Sequence, residues 1–189
     1  MKLLLITLTI LQSLLATLEQ KTLQSEFTIT ITDGQPIAPS SQPMTYSGTL
    51  AMRGKQFTIN MLSLEAAYDG TTLYMYSEEA EELTLSTPTE EELTQTNPFL
   101  YAKALLPVCK HTEKESGDKT IITLVPKNPH DDISKFILRV TTTTLIPVSL
   151  EIHEAAGNIT NLRLNKAEFS DTTPEFTIEK EEAFVNDLR

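Results

Sequence analysis

The sequence predicts a mainly β protein in which many short strands form a strongly curved or barrel-like antiparallel sheet, with few helices. Three observations support this prediction. The 189-residue chain has only six Gly and no Trp but is rich in Thr, Val and Ile, a composition that favours strands. In residues 27–32 an apolar residue alternates with Thr, as expected for a strand with one buried face. Further alternating runs follow at short, even intervals and are separated by turn-forming residues.

The N-terminal segment has two interpretations. Met1-Lys2 precedes an apolar run that continues to Ala16, as in a secretory signal peptide, although Leu14 would then occupy a position that favours a small residue. Alternatively, an amphipathic helix of the folded domain is indicated by leucines at helical spacing, namely Leu11, Leu14, Leu15 and Leu18. Residues 1–16 are therefore a signal peptide or an N-terminal apolar helix, and residues 17–189 form a single domain.

The first half of the chain predicts an antiparallel meander. After the strand at 27–32, residues 33–43 form a loop rich in Pro and Ser, and tight turns are expected at Gly54-Lys55 and Asp69-Gly70. Asp-Gly is a strong hairpin signal because Gly accepts a positive φ without steric strain. The strands that follow the loop are predicted over residues 46–53, 56–61, 65–68, 72–77 and 82–87.

Two short helices are predicted after these strands. The first begins at residue 88, with Thr87 as its N-cap and acidic residues in its first turn. The second covers residues 97–106 and ends before Pro107.

A second group of strands follows the helices. Gly117-Asp118 predicts another hairpin turn, and residues 155–158 predict a further connection between strands. The predicted strands cover residues 110–116, 119–125, 133–143, 147–154 and 159–169, with a short final strand at 176–178.

The predicted helices provide little material to cover the apolar face of a sheet of about ten strands. A curved sheet that is only partly filled by helices leaves an apolar cavity of the kind in which barrels hold hydrophobic ligands. Met52, Met61 and Met75 suit either adaptable ligand walls or the filling of gaps in a packed core. A fully packed core without a cavity is the alternative.

Composition argues against several partners. The net charge of −11 disfavours binding to nucleic acid and to anionic lipid surfaces. Cys109 is the only cysteine, so an intramolecular disulfide is excluded, and its apolar neighbourhood predicts a buried, inert thiol. Since no Cys lies in the first hundred residues, we expect no lipid attachment at the N-terminus.

The sequence contains no nucleophile elbow, zinc-ligand spacing or phosphate loop, and we expect neither enzymatic activity nor a cofactor or metal. His111, His130 and His153 are isolated, and residues 128–132 predict a turn rather than a metal site. The glutamates at 78–82 and 90–92 are expected to form a solvated edge that protects exposed strands.

Several motifs together resemble the bacterial outer-membrane lipoprotein carrier family, LolA. The strand from Asp69-Gly70 to Tyr76 matches a family pattern of Asp-Gly followed by Leu, an aromatic residue and Tyr. Residues 48–53, Gly-Thr-Leu-Ala-Met-Arg, resemble the preceding strand, although Gly54 follows where the family usually has Pro. Residues 97–100, Asn-Pro-Phe-Leu, resemble the segment that opens the central helices. The closing segment, residues 174–189, is similar to the Bacteroidetes type of the family.

The resemblance implies an unclosed antiparallel β-barrel, or half-barrel, with an α-helical lid. It further implies a periplasmic carrier, soluble and monomeric, that accepts triacylated lipoproteins from an inner-membrane ABC exporter and delivers them to an outer-membrane acceptor. The implied lid residues are Phe99, Leu100 and Leu105, and the implied latch that holds the lid is Arg53. The implied walls of the lipid cavity are Leu50, Met52, Phe57, Ile59, Met61, Leu73 and Met75.

Three other interpretations remain open. A periplasmic protein that binds or senses lipid or fatty acid would need a similar cavity. A hydrolase of lipid-like substrates would need Ser47 or Cys109 within reach of His111 or His153. A surface module with a packed interior would need no cavity.

Overall fold

Twelve strands form a single sheet in the computed structural model of the protein, which describes residues 9–34, 43–128 and 132–189. The first group of strands comprises β1 (Thr22–Thr32), β2 (Met44–Arg53), β3 (Gln56–Met61), β4 (Leu64–Tyr68), β5 (Leu73–Ser77) and β6 (Glu82–Ser86). The second comprises β7 (Cys109–Ser116), β8 (Lys119–Pro126), β9 (Ile133–Thr141), β10 (Pro147–Glu154), β11 (Ile159–Ser170) and β12 (Phe184–Asp187). Three helices accompany them: α1 (Ile10–Gln20), α2 (Glu90–Thr96) and α3 (Pro98–Leu105).

The strand order is β12-β6-β5-β4-β3-β2-β1-β11-β10-β9-β8-β7, so the sheet has two edges, β12 and β7, and is an unclosed barrel. All neighbours pair antiparallel except β12, which runs parallel to β6. The predicted fold class is confirmed. The predicted hairpin at Asp69-Gly70 joins β4 and β5, and Gly70 has a φ of 109° as that turn requires.

Helix α1 shows how strongly the sheet curves. It contacts both β2 and β8, which are separated by four strands in the sheet order. In a flat sheet these two strands would lie about 24 Å apart, whereas a helix with its side chains is about 10–12 Å across. The sheet must therefore bend around α1. We call the face that packs against the helices the inner face and the opposite face the outer face.

Both ends of α1 are bound to the sheet. Thr9 forms a capping box with Gln12, and the carboxylate of Glu113 on β7 accepts hydrogen bonds from the backbone N–H groups of Ile10 and Leu11, each at 3.0 Å. At the other end, the carbonyl of Leu18 accepts a hydrogen bond from Gly54 N at 2.7 Å. These bonds satisfy groups that a helix leaves unpaired at its ends.

The amphipathic-helix interpretation of the N-terminal leucines agrees with the structure over α1. Leu11 and Leu14 are fully buried and Leu18 is 4% exposed. They pack with Leu23, Ile122 and other side chains of the inner face in one continuous core. Residues 1–8 lie outside the described residues, and the signal peptide therefore stays a prediction.

The C-terminal segment covers part of the outer face. Ile178 packs there against Ala67, Leu83 and Leu85, which form a second, smaller core. The predicted strand at 176–178 is wrong, because Phe176 and Ile178 are buried without pairing to a neighbouring strand, and the final strand is β12. Phe176 and Ile178 alternate with less buried residues because the segment is extended and lies on the sheet, and this pattern arises without hydrogen bonding to a neighbouring strand.

Candidate functional site

An apolar cavity of about 220 Å³ lies on the inner face. Its surface is almost entirely apolar, and it is formed by five strands that are neighbours in the sheet, β3, β2, β1, β11 and β10. The helices α2 and α3, which we call the lid, close it from above. The lining residues are Phe27, Ile29, Leu50, Met52, Ile59, Met61, Thr96, Pro98, Leu150, Ile152, Thr160 and Leu162.

Strand alternation and register explain why these side chains meet. Leu50 on β2 lies opposite Ile59 on β3, and Leu150 on β10 lies opposite Leu162 on β11. Since residues directly opposite each other point to the same side, each pair contributes two neighbouring side chains to the cavity wall.

Gly48 gives the Phe27 ring its place in the cavity. The two residues are opposite each other on β1 and β2. A Cβ added at Gly48 would overlap the carbonyl oxygen of Asn60 and lie 2.7 Å from Cζ of Phe27. The ring lies over β2 because position 48 carries no side chain.

Four of the seven residues predicted as cavity walls line this cavity, namely Leu50, Met52, Ile59 and Met61. The other three lie elsewhere. Phe57 is fully buried in the packed core, with its ring centroid 6.1 Å from that of Tyr68. Leu73 packs beside them, and Met75, on the strand farther from the cavity, is 41% exposed. Alternation predicted the face of the sheet, but packing decides which part of that face is hollow.

The walls on the other side of the cavity were not among the predicted site residues. Phe27 and Ile29 belong to the clearest strand pattern of the chain, while Leu150 and Ile152 belong to β10, about 120 residues later. The alternating pattern marks these residues as members of one face. Only the sheet order, in which β1 pairs with β11, brings them together.

The predicted lid residues hold the lid to the sheet. Phe99 is 4% exposed, Leu105 is 8% exposed and Leu100 is half-buried, and all three pack on the main core. The lid also contacts β9 through Tyr101, whose ring centroid is 6.2 Å from that of Phe136 in an edge-on arrangement. The lid side of the cavity itself is formed by Thr96 and Pro98.

The predicted N-cap of α2 is wrong, since the cap is Thr89 and not Thr87. Thr89 and Glu92 form a capping box, in which the Thr89 hydroxyl accepts from Glu92 N and the Glu92 carboxylate accepts from Thr89 N. The backbone hydrogen bond from Thr89, followed by that from its hydroxyl, holds the pKa of Glu92 below its usual range.

The turn between β2 and β3 makes three contacts with the segments that cover the sheet. Arg53, the predicted latch, donates to the hydroxyl of Thr173 in the C-terminal segment. Gly54 N binds the end of α1, as described above. Lys55 forms an ion pair with Glu90 of α2 at 2.6 Å, and the hydrogen bond to Glu90 raises the pKa of Lys55. Of the residues at this turn, Lys55 makes a charged contact with the lid, and the hydrogen bond of Arg53 goes to the C-terminal segment.

Two larger clefts, of about 680 and 630 Å³, open to solvent beside the lid. The second is bordered by Glu90, Glu91 and Glu154 and has Ile152 in its wall. Ile152 also lines the apolar cavity. The cleft and the cavity are therefore neighbours that meet between α2 and β10, with the side chain of Ile152 in the wall of both.

The histidines and the cysteine that were considered for catalysis or metal binding have other contacts in the structure. His111 contacts Glu113 at 3.1 Å and His153 contacts Glu151 at 3.2 Å, while Cys109 is buried. Within residues 9–34, 43–128 and 132–189, no group of three or more His, Cys, Asp or Glu side chains is placed to hold a metal ion. His130 lies outside the described residues, as does most of the loop at 33–43. No helix in the described ranges is long and apolar enough to cross a membrane.

Solved structures with a similar fold share little sequence with this chain. An uncharacterised conserved protein from Thermus thermophilus has a TM-score of 0.59 and 11% identity, with 93% of this chain and 98% of that chain covered. A chain of the MucA/MucB complex from Pseudomonas aeruginosa has a TM-score of 0.51 and 13% identity, with 88% and 57% covered. These likenesses show the fold.

No curated protein matches the chain. The family "Outer membrane lipoprotein carrier protein LolA" matches residues 18–177, which include every strand that lines the cavity and both helices of the lid. The chain therefore belongs to the LolA family of outer-membrane lipoprotein carrier proteins.

Proposed function

We propose that this protein is a periplasmic carrier that shields the acyl chains of lipoproteins between the inner and outer membranes. Family membership supports a lipoprotein-binding or carrier-type role in the periplasm. The single observation that carries the proposal is the apolar cavity beneath the lid. A hydrophobic surface of this kind can replace the membrane around an acyl chain, and no bond has to be made or broken.

The size of the cavity requires the lid to move when cargo binds. Pockets that enclose small-molecule ligands have volumes of about 300–1,000 Å³. The cavity of about 220 Å³ is smaller than this range, whereas a lipoprotein carries several acyl chains. The structure therefore corresponds to a closed form, and cargo enters as the lid separates from the sheet.

The free-energy cost of opening the lid is similar in size to the gain from burying an acyl chain. Complete exposure of Leu93, Phe99 and Leu105, which anchor the lid, costs about 5–9 kcal/mol at about 1.5–3 kcal/mol for each side chain. Burial of each methylene contributes about 0.8 kcal/mol, so about 6–11 methylenes offset the opening. Since cargo leaves one membrane and enters another, the complete transfer is close to neutral. The cavity only has to prevent exposure to water on the way.

We place the entry route between α2 and β10, where Ile152 separates the cavity from the open cleft. In this proposal the partners are triacylated lipoproteins, an inner-membrane ABC exporter and an outer-membrane acceptor. The protein acts in the periplasm, and the transfer of cargo needs no catalytic residue, cofactor or metal.

The small closed volume also favours a second candidate function, a periplasmic protein that binds or senses a free fatty acid or lipid. A single chain needs less space than three chains and a peptide. The two candidates differ in whether the bound acyl group is attached to a protein.

A release assay tests the carrier. Spheroplasts of the source bacterium are incubated with the purified protein, and the supernatant is analysed for triacylated lipoprotein in complex with it. We expect a stoichiometric complex for the unmodified protein and a loss of it for Met61→Glu, which places a charge at the cavity wall. Asn60→Glu is the matched control, because this neighbouring exposed residue points to the outer face.

Fatty acid or phospholipid without lipoprotein in the purified complex would favour the second candidate. Equal release by the Met61→Glu and Asn60→Glu variants would show that the cavity does not hold the cargo. No release by the unmodified protein would overturn the carrier proposal.

A further inference from the structure

The junction of α2 and α3 contains a buried polar group without a partner. Asn97 is 1% exposed, and its Nδ2 has no hydrogen-bond acceptor in the described structure. Such groups are rare in folded proteins, because a buried donor that has lost its water and gained no partner destabilises the folded state. The presence of Asn97 here therefore calls for an explanation.

Every other polar atom of Asn97 is used. Its Oδ1 accepts from the backbone N–H groups of Phe99 at 3.0 Å and Leu100 at 3.2 Å, which caps α3. Its N donates to the carbonyl of Leu93 at 3.0 Å, and its carbonyl accepts from Tyr101 N at 3.0 Å. Capping needs only the side-chain oxygen. Asp or Ser would provide that oxygen without burying an amide donor.

This donor lies beside the cavity, although Asn97 is not one of the residues that line it in the closed form. Thr96 and Pro98, on either side of Asn97, form the lid wall of the apolar cavity. The cavity offers little polarity of its own, and the hydrogen of the Thr96 hydroxyl is already donated to the carbonyl of Glu92 at 2.8 Å. An acyl chain that enters this space brings an ester carbonyl, which accepts hydrogen bonds and donates none.

We infer that the side-chain amide of Asn97 donates a hydrogen bond to an ester carbonyl of the acylated ligand as α2 and α3 separate from the sheet. Burial of an ester carbonyl without a donor is unfavourable, and so is burial of the Asn97 amide without an acceptor. In the complex each group satisfies the other. The amide thereby makes the lid favour acyl esters over plain hydrocarbon. This inference rests on the proposed function.

The test compares two synthetic lipopeptides with the same chain length. One carries a diacylglyceryl-cysteine with ester-linked short chains, and the other carries the dialkyl ether analogue, which lacks the carbonyls. Titration calorimetry gives the ratio of their dissociation constants for the unmodified protein, for Asn97→Asp and for Asn97→Ser. Both variants keep an oxygen that caps α3, and thermal unfolding checks that each is folded.

We expect the unmodified protein to bind the ester about three- to tenfold more tightly than the ether, as one additional hydrogen bond implies. In both variants this ratio falls to about one while affinity for the ether is retained. We also expect the melting temperature of the ligand-free Asn97→Ser protein to be unchanged or raised, because this variant keeps a capping oxygen and removes the unpaired amide donor.

Equal affinity of the unmodified protein for ester and ether would overturn the inference and leave the carrier proposal standing. A variant that weakens both ligands equally would show a purely structural role for Asn97. If neither lipopeptide binds the unmodified protein, the carrier proposal and the inference fail together.

Discussion

Two helical covers pack on the same inner face, and they are held in different ways. Helix α1 buries Leu11, Leu14 and Leu18, and both of its ends are hydrogen-bonded to the sheet. The lid also buries apolar side chains, but its charged ties are Lys55–Glu90 and Lys103–Glu19, whose side chains are about half exposed or more. Ion pairs of this exposure contribute little to stability.

The packing beneath the two covers differs as well. Around α1 the inner face is filled, and Leu23, Ile122, Leu138 and Val140 are fully buried. Beneath the lid the same face is hollow, and the lid junction contains the unpaired amide of Asn97. The difference indicates that α1 is a permanent part of the domain, while the lid is the cover that can leave the sheet at moderate cost.

The largest effect is expected from removal of α1. Deletion of residues 1–16 takes away Leu11 and Leu14, and at about 2–5 kcal/mol for each buried leucine the loss is about 4–10 kcal/mol. Since small domains are stable by only about 5–15 kcal/mol, we expect this protein not to fold cooperatively. Circular dichroism during thermal unfolding measures the result.

Deletion of residues 1–8 is the matched control, because it leaves Thr9 and all of α1 in place. If the chain that begins at Thr17 unfolds cooperatively at an unchanged temperature, then α1 is dispensable and a leader that ends at Ala16 is compatible with the fold.

Single truncations compare the filled and hollow regions directly. Leu14→Ala is expected to lower the free energy of unfolding by about 2–5 kcal/mol, because it creates a new cavity in a packed site. Met61→Ala truncates a side chain that is only half-buried at the cavity wall, so the expected loss is smaller, at most about 2 kcal/mol, the low end for a buried methionine. Urea denaturation of both proteins measures the difference. Equal losses would contradict the contrast between the two regions.

A smaller effect is expected at the N-terminus of α1. Glu113→Gln removes the negative charge that faces two N–H groups of the helix, and the expected loss is about 0.5–2 kcal/mol. Glu115→Gln, two residues along the same strand and exposed, is the control and should change stability by less than about 0.5 kcal/mol. The midpoint of urea unfolding separates the two variants.

The smallest effect on stability is expected at the lid. Lys55→Gln removes the exposed ion pair with Glu90, so we expect unchanged global stability but faster amide hydrogen exchange in α2. Addition of salt should reproduce this effect in the unmodified protein. Arg53→Gln is the control, since the hydrogen bond of Arg53 goes to Thr173 in the C-terminal segment and not to α2. Faster exchange in α2 from the Arg53 variant would support the predicted role of Arg53 as the latch.

The sequence predicted the features of the fold that depend only on residues close together in the chain, such as tight turns. Asp69-Gly70 specifies its own turn, since the Asp69 carboxylate accepts from the N–H groups of Thr71 and Thr72 and Gly70 adopts the positive φ. The start of α2 was two residues away from its prediction, because both Thr87 and Thr89 have a Glu three positions later. Tertiary contact distinguishes them: Glu90 pairs with Lys55, and Glu92 completes the capping box.

The site could be predicted only in part for the same reason. Alternation identified Leu50 and Ile59 as members of the inner face, but the same rule included Phe57, which Tyr68 packs against, and Met75, which lies far from the lid. The cap that Glu113 provides to α1 joins residues about a hundred positions apart. No local pattern encodes such contacts.

The fixed length of α1 has a mechanical consequence for the cavity. The helix is bound at one end by β7 and at the other by the turn after β2, and its 11 residues span about 16 Å. It connects two parts of the curved sheet that are far apart in the strand order, and it thereby keeps the distance between them constant. In the proposed carrier the helix therefore fixes the width of the cavity, and acyl chains enter and leave it without flattening of the sheet.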